Sequence, residues 1–223
     1  MKLLVVGGGG REHAIIKSLK KNPAVTEIFA LPGNGGIAAD AVCVPIGATE
    51  IDKIVAFAQE QKVDYAVVAP DDPLVLGCVD ALEAAKIPCF GPRARAAIIE
   101  GSKVFSKNLM KKYGIPTARY HLVEGLEDAL EFAHTVGYPV VVKPDSGVGA
   151  CNTYKLQSDE DVRWFISNKD DAVYIMEEFV NGYVQTFDGI VDSKGQMLFE
   201  SGNITPLSIM DIVNTEGDSV YYL

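Results

Sequence analysis

Four consecutive glycines, Gly7 to Gly10, follow a short apolar run (residues 2–6) and precede a helical pattern. Glycine lets a ligand approach the backbone closely, and a helix opening on such a loop presents N–H groups to an anion. The dinucleotide fingerprint GxGxxG fits badly. Counted from Gly8 its last glycine falls on His13, and counted from Gly7 on Glu12. The next strand ends in Leu31-Pro32, where an acidic residue would hold a ribose hydroxyl. An NAD site is therefore disfavoured, while a purely structural tight turn stays open beside the anion site. No Gly-Lys-Ser/Thr occurs, which excludes a Walker A loop. A second feature is Lys143, which ends the apolar run YPVVVK. A buried stem with a charged tip is costly there unless an anion meets it. Directly after it, Ser146-Gly147-Val148-Gly149-Ala150 has the composition of a flexible loop that closes over a ligand and excludes water.

The elements that must position these residues alternate. Apolar runs at 2–6, 26–31, 64–69 and 87–90 read as strands, and the patterns at 11–21, 51–61 and 74–86 read as helices. Such alternation predicts an α/β fold with a parallel, Rossmann-like sheet, whose ligands gather at the carboxyl ends of the strands. The loops there are GGGGREH, PGNGG, APDDPLVLG and FGPR. One helix is expected over 100–113, and Gly114-Ile115-Pro116 marks the boundary between domains 1–115 and 116–223. Beyond it, strands at 119–123, 138–143, 152–156 and 172–179 alternate with helices at 126–135 and 159–167, a partial α+β domain. A hairpin over 185–192 and 196–201 turns at residues 193–195.

Formal charge is −10 at pH 7. The sequence pI of about 4.8 and mean hydropathy of +0.13 describe a soluble globular chain that repels nucleic-acid backbones. No stretch approaches the ~18 apolar residues of a membrane span, and no signal peptide is legible, so a cytoplasmic location is expected without membrane or nucleic-acid partners. Cys43, Cys78, Cys89 and Cys151 show no CxxC spacing and read as core thiols. His13, His121 and His134 form no catalytic constellation; His13 is placed to cap or line the first loop, the other two on the surface.

GGGGREHAI, LPGNGGIA, VVAPDDPLVLGCVDAL and IPCFGPRARAAIIEGSKVFSKNLMKKYGIPTA occur in that order over residues 1–120. In this the chain resembles the glycinamide ribonucleotide synthetase (phosphoribosylamine–glycine ligase) family of the ATP-grasp superfamily. The resemblance implies a pre-ATP-grasp domain followed by an ATP-grasp domain, with ATP and Mg2+ as cofactors and phosphoribosylamine and glycine as substrates. Gly9, Gly10, Arg11 and Glu12 of the first loop and Pro32, Gly33 and Asn34 of the second would lie near the sugar phosphate. Asp71 would face the substrate from the third loop. Lys103 and Lys143 match the two lysines that meet the ATP phosphates, and Ser146, Gly147 and Gly149 the lid. Glu177, Glu178, Phe179 and Val180 match the hinge that reads adenine and ribose. Each has a plainer reading: a solvated helix lysine for Lys103, an edge-strand acidic pair for the glutamates.

The match has departures. Asp71-Asp72 stand where the family has a glutamate and a small residue; Asp72 is equally placed to cap the helix opening at Pro73. The lid lacks the family's GKG lysine, and Tyr183-Val184-Gln185 follow Gly182 where acidic residues are usual. The second half is closer to a general ATP-grasp carboxylate–amine ligase, from a divergent lineage or from two pieces joined near residue 140. Family members run to roughly twice this length, so the chain is expected to be incomplete as a catalyst. Glu200, Asn203, Asp211 and Asn214 have the right types for magnesium, but their spacing assigns none. Two alternatives stay open: a ligase for another substrate, and a truncated nucleotide-binding or assembly module without turnover. Oligomeric state is not legible.

Overall fold

A computed structural model of the chain describes residues 1–147, 152–192 and 194–205. Its contacts divide it into two units, Met1–Ser106 and Lys107–Leu223.

The first unit carries five parallel strands: β1 (Lys2–Gly7), β2 (Glu27–Pro32), β3 (Val42–Cys43), β4 (Tyr65–Val68) and β5 (Cys89–Phe90). They lie in the order β3-β2-β1-β4-β5. Alternation along β1 explains why both faces are covered. Leu4 and Val6 join one core with Phe29, Leu31, Ile54, Ala58 and Leu82. Leu3 and Val5 join another with Ile16, Ile28 and Ile37. A strand buried on both sides reads as an unbroken apolar run, which is what residues 3–6 are; each such side chain contributes about 1.5–3 kcal/mol of burial. Helices α1 (Gly10–Leu19) and α2 (Ile51–Glu60) follow the expected spans. The pattern over 74–86 is two helices, α3 (Asp71–Val75) and α4 (Cys78–Ala84), separated at Gly77, whose φ is +85°. The helix expected over 100–113 is α6 (Lys103–Lys112); before it, across the extended Ser102, lies α5 (Ala94–Gly101), of which that expectation takes in only the last two residues. Of the described cysteines, Cys78 is buried while Cys43 and Cys89 are only half-buried, so the core reading holds fully for Cys78 alone. Burial pushes the Cys78 thiol up to about 11.

The second unit has a four-stranded antiparallel sheet of β6 (Tyr120–Leu122), β7 (Val140–Pro144), β8 (Tyr154–Leu156) and β9 (Tyr174–Glu178), ordered β6-β9-β7-β8. Val140, Val142, Tyr174 and Met176 turn one face onto helices α7 (Leu126–Val136) and α8 (Asp159–Asn168) through Ala129, Ala133, Val162 and Phe165. Period-2 alternation therefore sends Val141, Lys143, Ile175 and Glu177 to the other face. A separate hairpin pairs β10 (Val184–Val191) with β11 (Met197–Thr205), close to the expected spans.

Candidate functional site

In the first unit, the sheet order reverses beside β1, so the loops leaving β1 and β4 flank the crevice where open α/β sheets hold ligands. Gly7, at φ +122°, has no room for a side chain: a Cβ there would stand 2.7 Å from Glu12 Cγ and 2.8 Å from Pro70 Cγ. A Cβ on Gly8 would lie 2.6 Å from the carbonyl oxygen of Gly33. The first two loops are thus in backbone contact. The Gly33 N–H donates to the Gly7 carbonyl (3.2 Å), and Asn34 Nδ2 donates to the Gly8 carbonyl (2.6 Å). Asn34 Oδ1 in turn accepts from the Ile37 N–H at 2.8 Å.

Gly9 is the N-cap of α1, and Glu12 Oε2 accepts its N–H at 2.6 Å. Glu12 is buried at 4% exposure, so its carboxylate serves the loop from beneath. Gly9, Gly10 and Arg11 are exposed above it, where the first N–H groups of a helix have no intrahelical acceptor. Pro32 is exposed and Gly33 half-buried at the end of β2. His13 turns to Asp40, beyond the second loop: its Nε2 is 2.8 Å from Asp40 Oδ2, and Lys20 Nζ is 2.8 Å from Asp40 Oδ1. Hydrogen bonds from Lys20 and then His13 hold the Asp40 carboxyl down at about 2.

Asp71 and Asp72 occupy the first turn of α3, with Pro70 as its N-cap and no side-chain capping bond. Asp72 is therefore not the cap, because the helix begins one residue before it. A carboxylate nearby that does reach a helix start is Asp80, whose Oδ2 accepts the Ala94 N–H of α5 at 2.8 Å. Lys103 is half-buried at the first residue of α6.

The second unit collects charge. Register pairs Val141 with Glu177 and Lys143 with Ile175, making Lys143 and Glu177 diagonal neighbours on one face. Lys143 Nζ lies 2.8 Å from Glu177 Oε2. On the other side Lys107 Nζ lies 3.1 Å from Glu177 Oε1, an ionic contact without the alignment of a hydrogen bond. Lys107 also donates to Thr117 Oγ1 at 2.9 Å and to the Ala118 carbonyl at 3.3 Å. Its ammonium stands 5.4 Å from the centroid of the Tyr120 ring. The Lys107 and Glu177 side chains are about nine-tenths buried, at 11% and 10% exposure, whereas Lys143 keeps 26%. Sequence reasoning missed Lys107. In KVFSKNLMKK it looks like any solvated helix lysine, and nothing in its spacing marks it.

The paired glutamates have separate surroundings. Glu178 is held by Arg119, whose backbone N–H reaches Oε1 at 2.7 Å and whose Nε reaches Oε2 at 2.6 Å. These bonds, the backbone one foremost, lower the Glu178 carboxyl from its ordinary value. Phe179 and Val180 are exposed just past the last ladder pair, Val140 with Glu178, and Lys155 Nζ sits 4.1 Å over the Phe179 ring. Ser146 and Gly147 are exposed beyond β7; Gly147 has φ +117° and open space where a Cβ would stand. Gly149 lies outside the described residues, as do Asp211 and Asn214. A cavity of about 540 Å³ opens along Gly114–Tyr120, the segment that anchors Lys107.

Among the described residues, no group of three or more His, Cys, Asp or Glu side chains is placed to hold a metal ion. Glu200 and Asn203 lie on β11 with no such partners. Nor is any helix among them long and apolar enough to cross a membrane.

Two family models match in succession: the N domain of phosphoribosylglycinamide synthetase over residues 1–100, and its ATP-grasp (A) domain over residues 101–203. A phosphoribosylamine–glycine ligase of Lactococcus lactis is 40% identical over 186 residues, 82% of this chain and 45% of that protein. One of Vibrio cholerae is 36% identical over 229 residues, covering 98% of this chain and 52% of its own length. The chain thus spans about half the length of the curated relatives it matches. Among solved structures, phosphoribosylamine–glycine ligase of Thermotoga maritima superposes at a TM-score of 0.63 and 24% identity, over 85% of this chain and 47% of the other. The biotin carboxylase domain of Hydrogenobacter thermophilus 2-oxoglutarate carboxylase, bound to MgADP, gives 0.74 at 17% identity, over 91% and 49%. The shared fold is the ATP-grasp fold.

Proposed function

Since this chain belongs to the phosphoribosylglycinamide synthetase family, we propose that it is the substrate- and nucleotide-binding part of an ATP-dependent carboxylate–amine ligase of purine biosynthesis. Its substrates are glycine and 5-phosphoribosylamine. The glycine carboxylate attacks the γ-phosphorus of ATP, giving glycyl phosphate and ADP. The amine then displaces phosphate to form the amide. The protein's share is alignment, charge neutralisation and exclusion of water.

Lys103 and Lys143 meet the ATP phosphates, and the lid from Ser146 through Gly147 to Gly149 closes over them. Phe179 and Val180 read the adenine edge through their backbone, beside Glu177 and Glu178. Gly9, Gly10 and Arg11, with Pro32, Gly33 and Asn34, hold the sugar phosphate; Glu12 shapes that loop from below, and Asp71 faces the substrate amine. A magnesium ion would neutralise phosphate charge when bound with the nucleotide, and none of the described residues is assigned to hold it.

The observation that carries this reading is Lys143. It is a cation at the end of a strand, opposed by one buried carboxylate and still partly open to solvent. The test is equilibrium binding of MgATP to the parent chain and to Lys143→Ala, followed by ADP release with glycine and phosphoribosylamine. Binding that the substitution abolishes is expected. Binding unchanged by it overturns the assignment of Lys143, and binding without ADP release makes the chain a nucleotide-binding module.

A further inference from the structure

Lys107 and Lys143 grip the two oxygens of one buried carboxylate, but they are not equivalent. Lys107 donates hydrogen bonds to Thr117 Oγ1 (2.9 Å) and the Ala118 carbonyl (3.3 Å), keeps an ionic contact with Glu177 Oε1 (3.1 Å), and its side chain is 11% exposed. Two of its three donors are taken by these oxygens, and its burial beside Glu177 withholds the ammonium from a ligand. Lys143 pairs with Glu177 at 2.8 Å and keeps 26% exposure, which leaves donors facing outward.

Charge decides what that asymmetry does. Lys143 and Glu177 alone are a neutral pair, and a neutral pair offers an incoming polyphosphate little beyond two N–H donors. With Lys107 behind Glu177, the three groups carry one net positive charge in a partly desolvated place, where charge acts more strongly than in water. Lys107 also takes one carboxylate oxygen for itself, so Glu177 cannot close both oxygens onto Lys143.

We propose that Lys107 is a positioning residue that keeps the Lys143 ammonium available to the phosphates of a nucleoside triphosphate by neutralising Glu177 from the buried side. The inference rests on the nucleotide reading above and adds a residue to it. Lys107 touches no phosphate: it acts through Glu177. The segment Thr117–Ala118 belongs to the same device, because it takes two of the Lys107 donors and holds the ammonium beside the carboxylate.

The test compares the parent, Lys107→Met, Glu177→Gln and the double variant, with MgATP and inorganic tripolyphosphate as probes. Tripolyphosphate has no base or ribose, so any contact of Glu177 with those groups drops out. Net charge in the triad is +1 in the parent, 0 in Lys107→Met, +2 in Glu177→Gln and +1 again in the double variant. Affinity for both probes should fall roughly tenfold or more in Lys107→Met, by the loss of one nearby unit charge. It should return to within about threefold of the parent in the double variant, the ordinary scatter of single-contact effects. A merely structural lysine would not give that recovery, and neither would one that touches phosphate.

Circular dichroism and thermal melting check folding. If Lys107→Met fails to fold, the parent, Glu177→Gln and the double variant carry the comparison, with parent and double variant alike and Glu177→Gln tighter for tripolyphosphate. Parental affinity in a folded Lys107→Met overturns this inference alone, as does a double variant no better than Lys107→Met. Failure of the parent to bind either probe overturns the nucleotide reading and this inference together.

Discussion

In the first unit, the loop after β1 is shaped by groups that bring little net charge to its surface. Asn34 holds the Gly8 carbonyl, Glu12 holds the Gly9 N–H from below, and the Gly33 carbonyl presses where a Gly8 side chain would stand. In the second unit, the corresponding work falls to two lysines and a glutamate packed against β7 and β9. Under the proposed function, these are two routes to an anion site in a chain of net charge −10. One offers backbone N–H groups at a helix start, on a loop braced from below by the single buried carboxylate of Glu12. The other buries charge and balances it, which concentrates field but makes every member of the set depend on the others.

That dependence sets the order of expected effects. Glu177→Leu should be the most damaging substitution, because it leaves Lys107 nine-tenths buried without its carboxylate. Breaking a buried pair from one side costs about 3–5 kcal/mol, and the lower end applies here since Lys143 keeps contact with water. Urea unfolding of the variant measures it; a loss under 1 kcal/mol would mean the triad is not the balanced unit described.

Gly8→Ala tests the backbone route. The new Cβ would meet a backbone carbonyl that cannot swing aside, so a loss of about 1–3 kcal/mol is expected. Nucleotide affinity in the second unit should be untouched. A variant of parental stability would show that the two loops are not held in contact. Asn34→Ala is milder. It removes the bonds to Gly8 and Ile37 and should cost about 1–2 kcal/mol by the same unfolding measurement.

Much of the first unit is legible in the sequence because β1, β2 and β4 are largely buried apolar runs and β1 and β2 end in glycine and proline. The breaks are not. The helices expected over 74–86 and 100–113 cross the breaks at Gly77 and Ser102 and miss the first turns, so α4 and α6 are anticipated while most of α3 and α5 is not. The two-residue β3 carries too little pattern to stand out. At the site, residue type announces Lys143, since a lysine ending an apolar strand conflicts with its neighbours. Lys107 shows no such conflict: its burial comes from Thr117, Ala118, Tyr120 and Glu177, which only the fold brings to it. The same applies to Glu12 and Asp72. Their types suit either a ligand contact or a cap, and the backbone geometry puts Glu12 under Gly9 and leaves Asp72 within the helix.

The smallest effect expected concerns Asp40. Its carboxyl is lowered from 3.8 to about 2, first by Lys20 and then by His13. A depressed carboxylate stabilises the fold above its unfolded value and loses that contribution as pH falls through its folded one, so the window lies between pH 3.8 and about 2. Carbon-13 titration should place the Asp40 midpoint near the lower figure, and Lys20→Met should raise it. A parental midpoint near 3.8 would contradict the pairing.

The central claim, that the Lys143 face of the second unit binds nucleotide, is tested most directly by thermal unfolding with and without millimolar MgATP, on the parent and on Lys143→Ala. A ligand that binds only the folded state adds about 2.7 kcal/mol at a hundredfold excess over Kd. The account predicts a rise in melting temperature for the parent that disappears in the variant. Equal shifts in both, or none in either, would contradict it.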